Sequence, residues 1–189
     1  MEKSKRVILN IAAGKINSVS MDEQTFLVNV DTMYHTKTSI SNIEECFDIW
    51  EKDYLQPSER YFINEDIFRF LTECRIIFDE VKCYRFLEHV SRDKILYFIY
   101  LLSTSIKHGG IVDIIVPNYR ELARRILHED PFSRDFEKEN IITSTELLNE
   151  KEDPHTSIWT STRAKYYFEL EERFKIMGLK GDKTRTYRF

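Results

Sequence analysis

The sequence predicts an α/β fold: a doubly wound, mostly parallel seven-stranded sheet that ends in a C-terminal antiparallel hairpin. Three observations point to it. Short runs of branched apolar residues alternate with stretches of helical periodicity, the pattern of parallel strands joined by crossover helices. The first run, RVILNIAA at residues 6–13, is apolar without alternation, as a strand buried on both faces must be. The tail beyond Arg173 carries a hairpin signal around residues 178–182. A length of 189 residues, 42% of them hydrophobic, suits one domain over 1–189 and excludes disorder along most of the chain.

The elements follow in order. The strand at 6–13 stops at Gly14, and TFLVNVD at 25–31 is a second strand closed by an acid. Residues 41–54 place Ile43, Phe47, Trp50 and Tyr54 at helical spacing behind Ser41 or Asn42, and Pro57 ends that helix. A short strand at 61–63 leads to a helix at 66–74 with Ile67, Phe70 and Leu71 inward. IIFDEVKC at 76–83 reads as the fourth strand. Residues 93–107 form a strongly apolar helix, closed at His108-Gly109-Gly110, where glycine relieves a left-handed turn. IVDIIV at 111–116 is the fifth strand, stopped by Pro117 and followed by a helix at 119–127 with Asn118 as its cap. Another helix is expected near 144–149, and one at 161–171 opens on serine. The two tail strands complete the count of seven.

Charge and cysteine usage narrow the function classes. The net charge is −4, from 28 basic and 32 acidic residues. They are spread along the chain, so there is no electrostatic footprint for non-specific nucleic-acid binding. The mildly basic stretch from Arg163 to Arg188 reads first as a solvated face. Cys46, Cys74 and Cys83 show no CxxC spacing, and His35, His108 and His128 have no partner at metal-ligand spacing. Neither a disulfide framework nor a metal site is expected. No apolar run approaches the ~18 residues of a membrane span, so the sequence reads as a cytoplasmic protein with no membrane partner.

The midsection supplies a sharper signal. Phe78-Asp79-Glu80-Val81 is followed by Leu87-Glu88-His89-Val90, then by Gly109-Gly110 and by Val116-Pro117-Asn118. In order and spacing these pieces resemble the class I S-adenosylmethionine-dependent methyltransferases, whose fold is Rossmann-like. The subgroup is the one that reads FD-x-V, LEHV, GG and VPN. The similarity covers residues 6–128; 129–189 would add C-terminal helices and the hairpin. Pro154 to Trp159 also resembles a C-terminal feature of related proteins.

The resemblance implies a cofactor, S-adenosylmethionine, held at the carboxyl ends of the first strands, the topological switch point of such sheets. Asn10, Ala12, Ala13 and Gly14 would form the first loop. Asp31 matches the acid that accepts the ribose hydroxyls, and Asp66 the polar residue near the adenine. Arg85 and Glu88 would line the cofactor, and His89 would be a candidate general base. Tyr119, His155 and Trp159 would border the acceptor. Each has a plainer reading beside it. Asp31 suits a loop after a strand and Asp66 suits a helix N-cap. Glu88 and His89 suit strand-end hydrogen bonding, and His155 and Trp159 suit core packing.

The first loop departs from the family's glycine pattern, with alanines at 12 and 13. Alanine costs about 1–2 kcal/mol in the left-handed region. The implied activity is methyl transfer to an oxygen or nitrogen acceptor, on a small molecule, a sugar or a protein group. Residues 84–89 hold no proline, and this disfavours the exocyclic amines of DNA bases. The alternative is a methyltransferase-fold protein without catalysis, serving as a binding or structural subunit of a larger assembly.

Overall fold

A computed structural model describes residues 6–12, 25–32, 39–40, 60–117, 159–178, 180–181 and 186–188. The expected helices at 41–54, 119–127 and 144–149 lie outside these residues, as do Ala13, Gly14, Tyr119 and His155. The elements are β1 (Arg6–Ile11), β2 (Thr25–Val30), β3 (Ser39–Ile40), β4 (Arg60–Ile63), α1 (Ile67–Glu73) and β5 (Phe78–Tyr84). A 3₁₀ turn (Leu87–His89) follows, then α2 (Ile95–Ser105), β6 (Ile106–Pro117), α3 (Ser161–Leu170), β7 (Lys180–Gly181) and β8 (Thr186–Arg188). The chain divides into two compact units, Met1–Tyr84 with Tyr97–Asp113, and Arg85–Leu96 with Ile114–Phe189.

The first unit is built on five parallel strands in the order β3-β4-β2-β1-β5, with β6 beside β5. At its centre every residue of β2 is buried, and so is all of β1 after Arg6. Leu9 stands in register with Val28 on one side, and Ile11 with Cys83 on the other. Central strands of a parallel sheet have no solvent face, which is why both are almost unbroken apolar runs. The chain moves outward from β1 through β2 to β4, then returns to the other side of β1 with β5. The order therefore reverses at β1. In such sheets the ligand crevice lies outside the carboxyl ends of the strands at that point.

Asp79 pins the opposite, amino-terminal end. Its Oδ2 accepts from the Val7 amide at 2.9 Å, and its Oδ1 from Lys107 Nζ at 3.2 Å. One carboxylate thus ties β5 to β1 and β6 and fixes their register.

Helix α1 begins at Asp66, whose Oδ1 accepts from the amides of Phe68 and Arg69 at 3.0 Å each. Phe68 stacks on Tyr97 and tilts against Phe98 of α2, and Phe70 meets Phe78 of β5. Phe70, Phe78, Phe98, Ile99 and Leu102 are all 0% exposed. Each contributes roughly 1.5–3 kcal/mol by leaving water.

Several expectations need correction. The sheet order runs through eight described strands rather than seven, two of them only two residues long. Helix α2 stops at Ser105, and β6 starts at once with Ile106. The hydroxyls of Ser103, Thr104 and Ser105 bond back to the carbonyls of Tyr100 and Leu101 in the last turn.

Gly109 and Gly110 accordingly belong to β6 and not to a helix-ending turn. Gly109 has φ 79°. A Cβ on Gly110 would sit 2.9 Å from the Asp79 carbonyl oxygen, so glycine permits a close approach of backbones there. β5 begins at Phe78, because Ile76 and Ile77 lie in the connection before it. In the second unit α3 opens on Ser161 as expected, and the hydroxyl of its N-cap, Thr160, accepts from the Arg163 amide at 3.2 Å. Also in that unit, β8 pairs antiparallel with the end of β6, and β7 with β8.

Candidate functional site

The carboxyl ends of the first unit's strands place several of the expected residues. Asn10 is buried, and its Nδ2 donates to Asn29 Oδ1 at 2.9 Å, in register across β1 and β2. That bond gives each amide a partner inside an apolar layer, where a buried group left without one would cost about 1–3 kcal/mol. Ala12 is the first residue beyond β1 and has φ 52°. Its amide donates to the Val30 carbonyl at 2.9 Å, so the ladder continues one step past the strand before the backbone turns. Asp31 is the first residue beyond β2. Its amide donates to the Ile63 carbonyl at 3.1 Å, and the residue is partly exposed. Asp66, after β4, caps α1 through Oδ1, which leaves Oδ2 outside the cap.

The second unit carries the other group. Arg85 is exposed with φ 58°, and its amide donates to the Ile115 carbonyl at 2.8 Å. The 3₁₀ turn that follows holds Glu88, fully buried, and His89, partly exposed. Trp159 is 0% exposed, and its Nε1 donates to the Leu87 carbonyl at 3.1 Å. Its ring lies 5.8 Å from that of Tyr167, and the Arg163 guanidinium sits over both rings. Trp159 therefore holds the turn that bears Glu88 and His89, from inside the core of its unit.

One polar row of the first unit is not among the expected residues. Glu80, Lys82 and Tyr84 alternate along β5 and so share a face. Glu80 pairs with Arg6 and Lys82, and Tyr84 donates to Asp113 of β6. The signal was present in the sequence: a buried parallel strand ordinarily alternates nothing, and this one alternates apolar with polar.

Among the described residues no helix is long and apolar enough to cross a membrane, and no group of three His, Cys, Asp or Glu side chains could hold a metal ion.

No family model and no curated protein matches the chain. Solved structures do. A protein from Bordetella parapertussis is similar with a TM-score of 0.61 at 12% identity, over 98% of this chain and 60% of its own. The plantazolicin methyltransferase BpumL, in complex with a monoazolic desmethylPZN analog and SAH, gives 0.55 at 14% identity, over 91% and 57%. An O-methyltransferase family protein from Burkholderia thailandensis gives 0.53 at 10% identity, over 97% and 49%. The fold is that of the class I methyltransferases. This methyltransferase-fold chain spans 49% to 60% of the lengths of those three proteins. In a methyltransferase fold the ligand end of the sheet is the one that carries Ala12, Asp31 and Tyr84 in this chain.

Proposed function

We propose that the protein binds S-adenosylmethionine and transfers its methyl group to an oxygen or nitrogen acceptor. The observation that carries this reading is the position of Asp31, a partly exposed carboxylate immediately beyond β2 in a class I methyltransferase fold. A carboxylate there suits the two vicinal hydroxyls of a ribose, because its two oxygens can accept from both at once. The donor set fits the group on this point.

When bound, the cofactor supplies a methyl group already activated on a sulfonium sulfur. The chain's own part is to hold and align. Asp31 would orient the ribose, and the turn at Ala12 would shape the backbone at the switch point. Much of the acceleration of such a transfer can come from in-line alignment alone. In this reading Asp66 Oδ2 serves the cofactor in the first unit. The family resemblance alone assigns Arg85 and Glu88 to the cofactor and His89, Tyr119 and His155 to the acceptor, and Trp159 holds the turn that bears Glu88 and His89.

Titration calorimetry with S-adenosylmethionine and with its demethylated product tests the proposal. Saturable binding is expected, weakened about tenfold or more by Asp31→Ala, the loss of a charge-assisted hydrogen-bonded pair. Absence of heat with either compound overturns it. A second reading, a structural or binding subunit, is favoured by one feature. The Ala12 amide donates to the Val30 carbonyl and Asn10 Nδ2 to Asn29 Oδ1, so both already have a protein partner in this conformation.

A further inference from the structure

The polar row on β5 is unusual for a parallel sheet. Arg6, half exposed at the amino end, pairs with Glu80, whose side chain is 7% exposed. Lys82 Nζ lies 2.7 Å from Glu80 Oε1 and donates to Tyr84 Oη at 3.5 Å. Tyr84 Oη in turn donates to Asp113 Oδ2 at 2.6 Å, and Asp113 is 6% exposed. Charges alternate along the row, so Arg6, Glu80, Lys82 and Asp113 cancel among themselves. Enclosing Glu80 and Asp113 still carries a desolvation cost, and apolar side chains of similar size usually stabilise as well or better. Stability alone is a poor reason to keep them.

Position supplies a better one. Ile11 is level with Cys83, so Tyr84, the last residue of β5, is level with Ala12 at the switch point. Tyr84 is partly exposed, whereas Glu80 and Asp113 are enclosed. Tyr84, at the carboxyl end of the row, is partly exposed, and its phenol oxygen is held between an ammonium and a carboxylate.

We propose that Tyr84 and Asp113 take up the proton of the methyl acceptor, and that the acceptor is a hydroxyl compound. This rests on the methyl-transfer reading above. As the acceptor oxygen's lone pair forms the new O–C bond, the S–C pair stays on sulfur and leaves a neutral thioether. The acceptor's proton moves to Tyr84 Oη while the proton of Tyr84 passes to Asp113 Oδ2. Lys82 donates to the same Oη and steadies the charge that develops there during the exchange. Asp113, then a neutral acid, returns the proton by the same path once the product leaves. A neutral amine attacks with a lone pair that is already available, whereas a hydroxyl gains nucleophilicity as its proton is drawn away. A relay placed here therefore serves an oxygen acceptor.

Fluorine NMR of the full chain labelled with fluorotyrosine tests this, with catechol as the probe hydroxyl and veratrole, its dimethyl ether, as the control. The Tyr84 resonance is identified by its loss in Tyr84→Phe and independently by its displacement in Asp113→Asn. In protein saturated with the demethylated cofactor, catechol is expected to move that resonance and veratrole to leave it in place. Catechol affinity should fall roughly tenfold in Tyr84→Phe, as for a lost hydrogen bond to a polarised group. If the demethylated cofactor binds and catechol leaves the resonance unmoved, the relay is wrong and the methyl-transfer reading stands. If the demethylated cofactor does not bind the wild-type chain, both fall.

Discussion

Ala12 carries a local conformational cost at the ligand end of the first unit. Its φ of 52° lies in the left-handed region, where a Cβ crowds the carbonyl oxygen. Replacing it with glycine removes about 1–2 kcal/mol of strain and adds about 0.5–1 kcal/mol of unfolded-chain entropy. Ala12→Gly should therefore stabilise the protein by about 0.5–1 kcal/mol. The denaturation midpoint would rise at unchanged slope. A lower midpoint would mean that the methyl group packs usefully where it is. Cys74 makes a second case at this scale. Burial pushes its thiol up to about 12 from 9.0, against a weaker opposing hydrogen bond with the Ile76 backbone. Folding then favours the neutral thiol. Its contribution is fully present below pH 9.0 and is lost as pH rises toward 12, at no more than about 1.4 kcal/mol per pH unit. Stability measured across that window should fall less steeply for Cys74→Ala than for the wild type. At neutral pH, Cys74 should resist alkylation in the native protein and react after unfolding, as mass spectrometry would read.

At the scale of elements, caps and neighbours decide boundaries that periodicity alone leaves loose. Asp66 holds two amides of the first turn of α1, so Asp66→Ala should cost about 1 kcal/mol, with Asp66→Asn nearly neutral. Thermal denaturation of both variants checks this, and an equal loss in the two would assign the effect to charge rather than to the cap. The central strands were legible because burial on both faces leaves an unmistakable apolar run, as in β1 and β2. The start of β6 was not. Ile106 and Lys107 continue the helical pattern of α2, yet the helix ends at Ser105 and the strand that follows brings Gly110 against the Asp79 carbonyl. Asp31 and Asp66 were legible as acids at the ends of a strand and a helix. The Asn10–Asn29 pair was not, since pairing across strands depends on register, which the sequence does not display. Trp159 illustrates the same limit: its partner, the Leu87 carbonyl, is distant along the chain and carries no signal in a side chain.

The whole chain offers a test that needs neither an acceptor nor an assay of turnover. A ligand that binds the folded state alone stabilises it in proportion to the logarithm of its concentration over its dissociation constant. At a hundredfold excess over that constant the gain is about 2.7 kcal/mol. For a protein of 189 residues each kcal/mol raises the melting temperature by roughly 2–4 °C. S-adenosylhomocysteine at that excess should therefore raise the transition by about 5–10 °C. The rise should continue with concentration rather than level off, because the linkage is logarithmic. Asp31→Ala should remove most of the shift at the same ligand concentration, each protein being compared with its own transition without ligand. Adenine alone, which lacks the ribose hydroxyls, should produce little shift in either protein. A wild-type transition indifferent to the nucleoside at every concentration would leave the methyltransferase fold in place and turn its function toward that of a subunit.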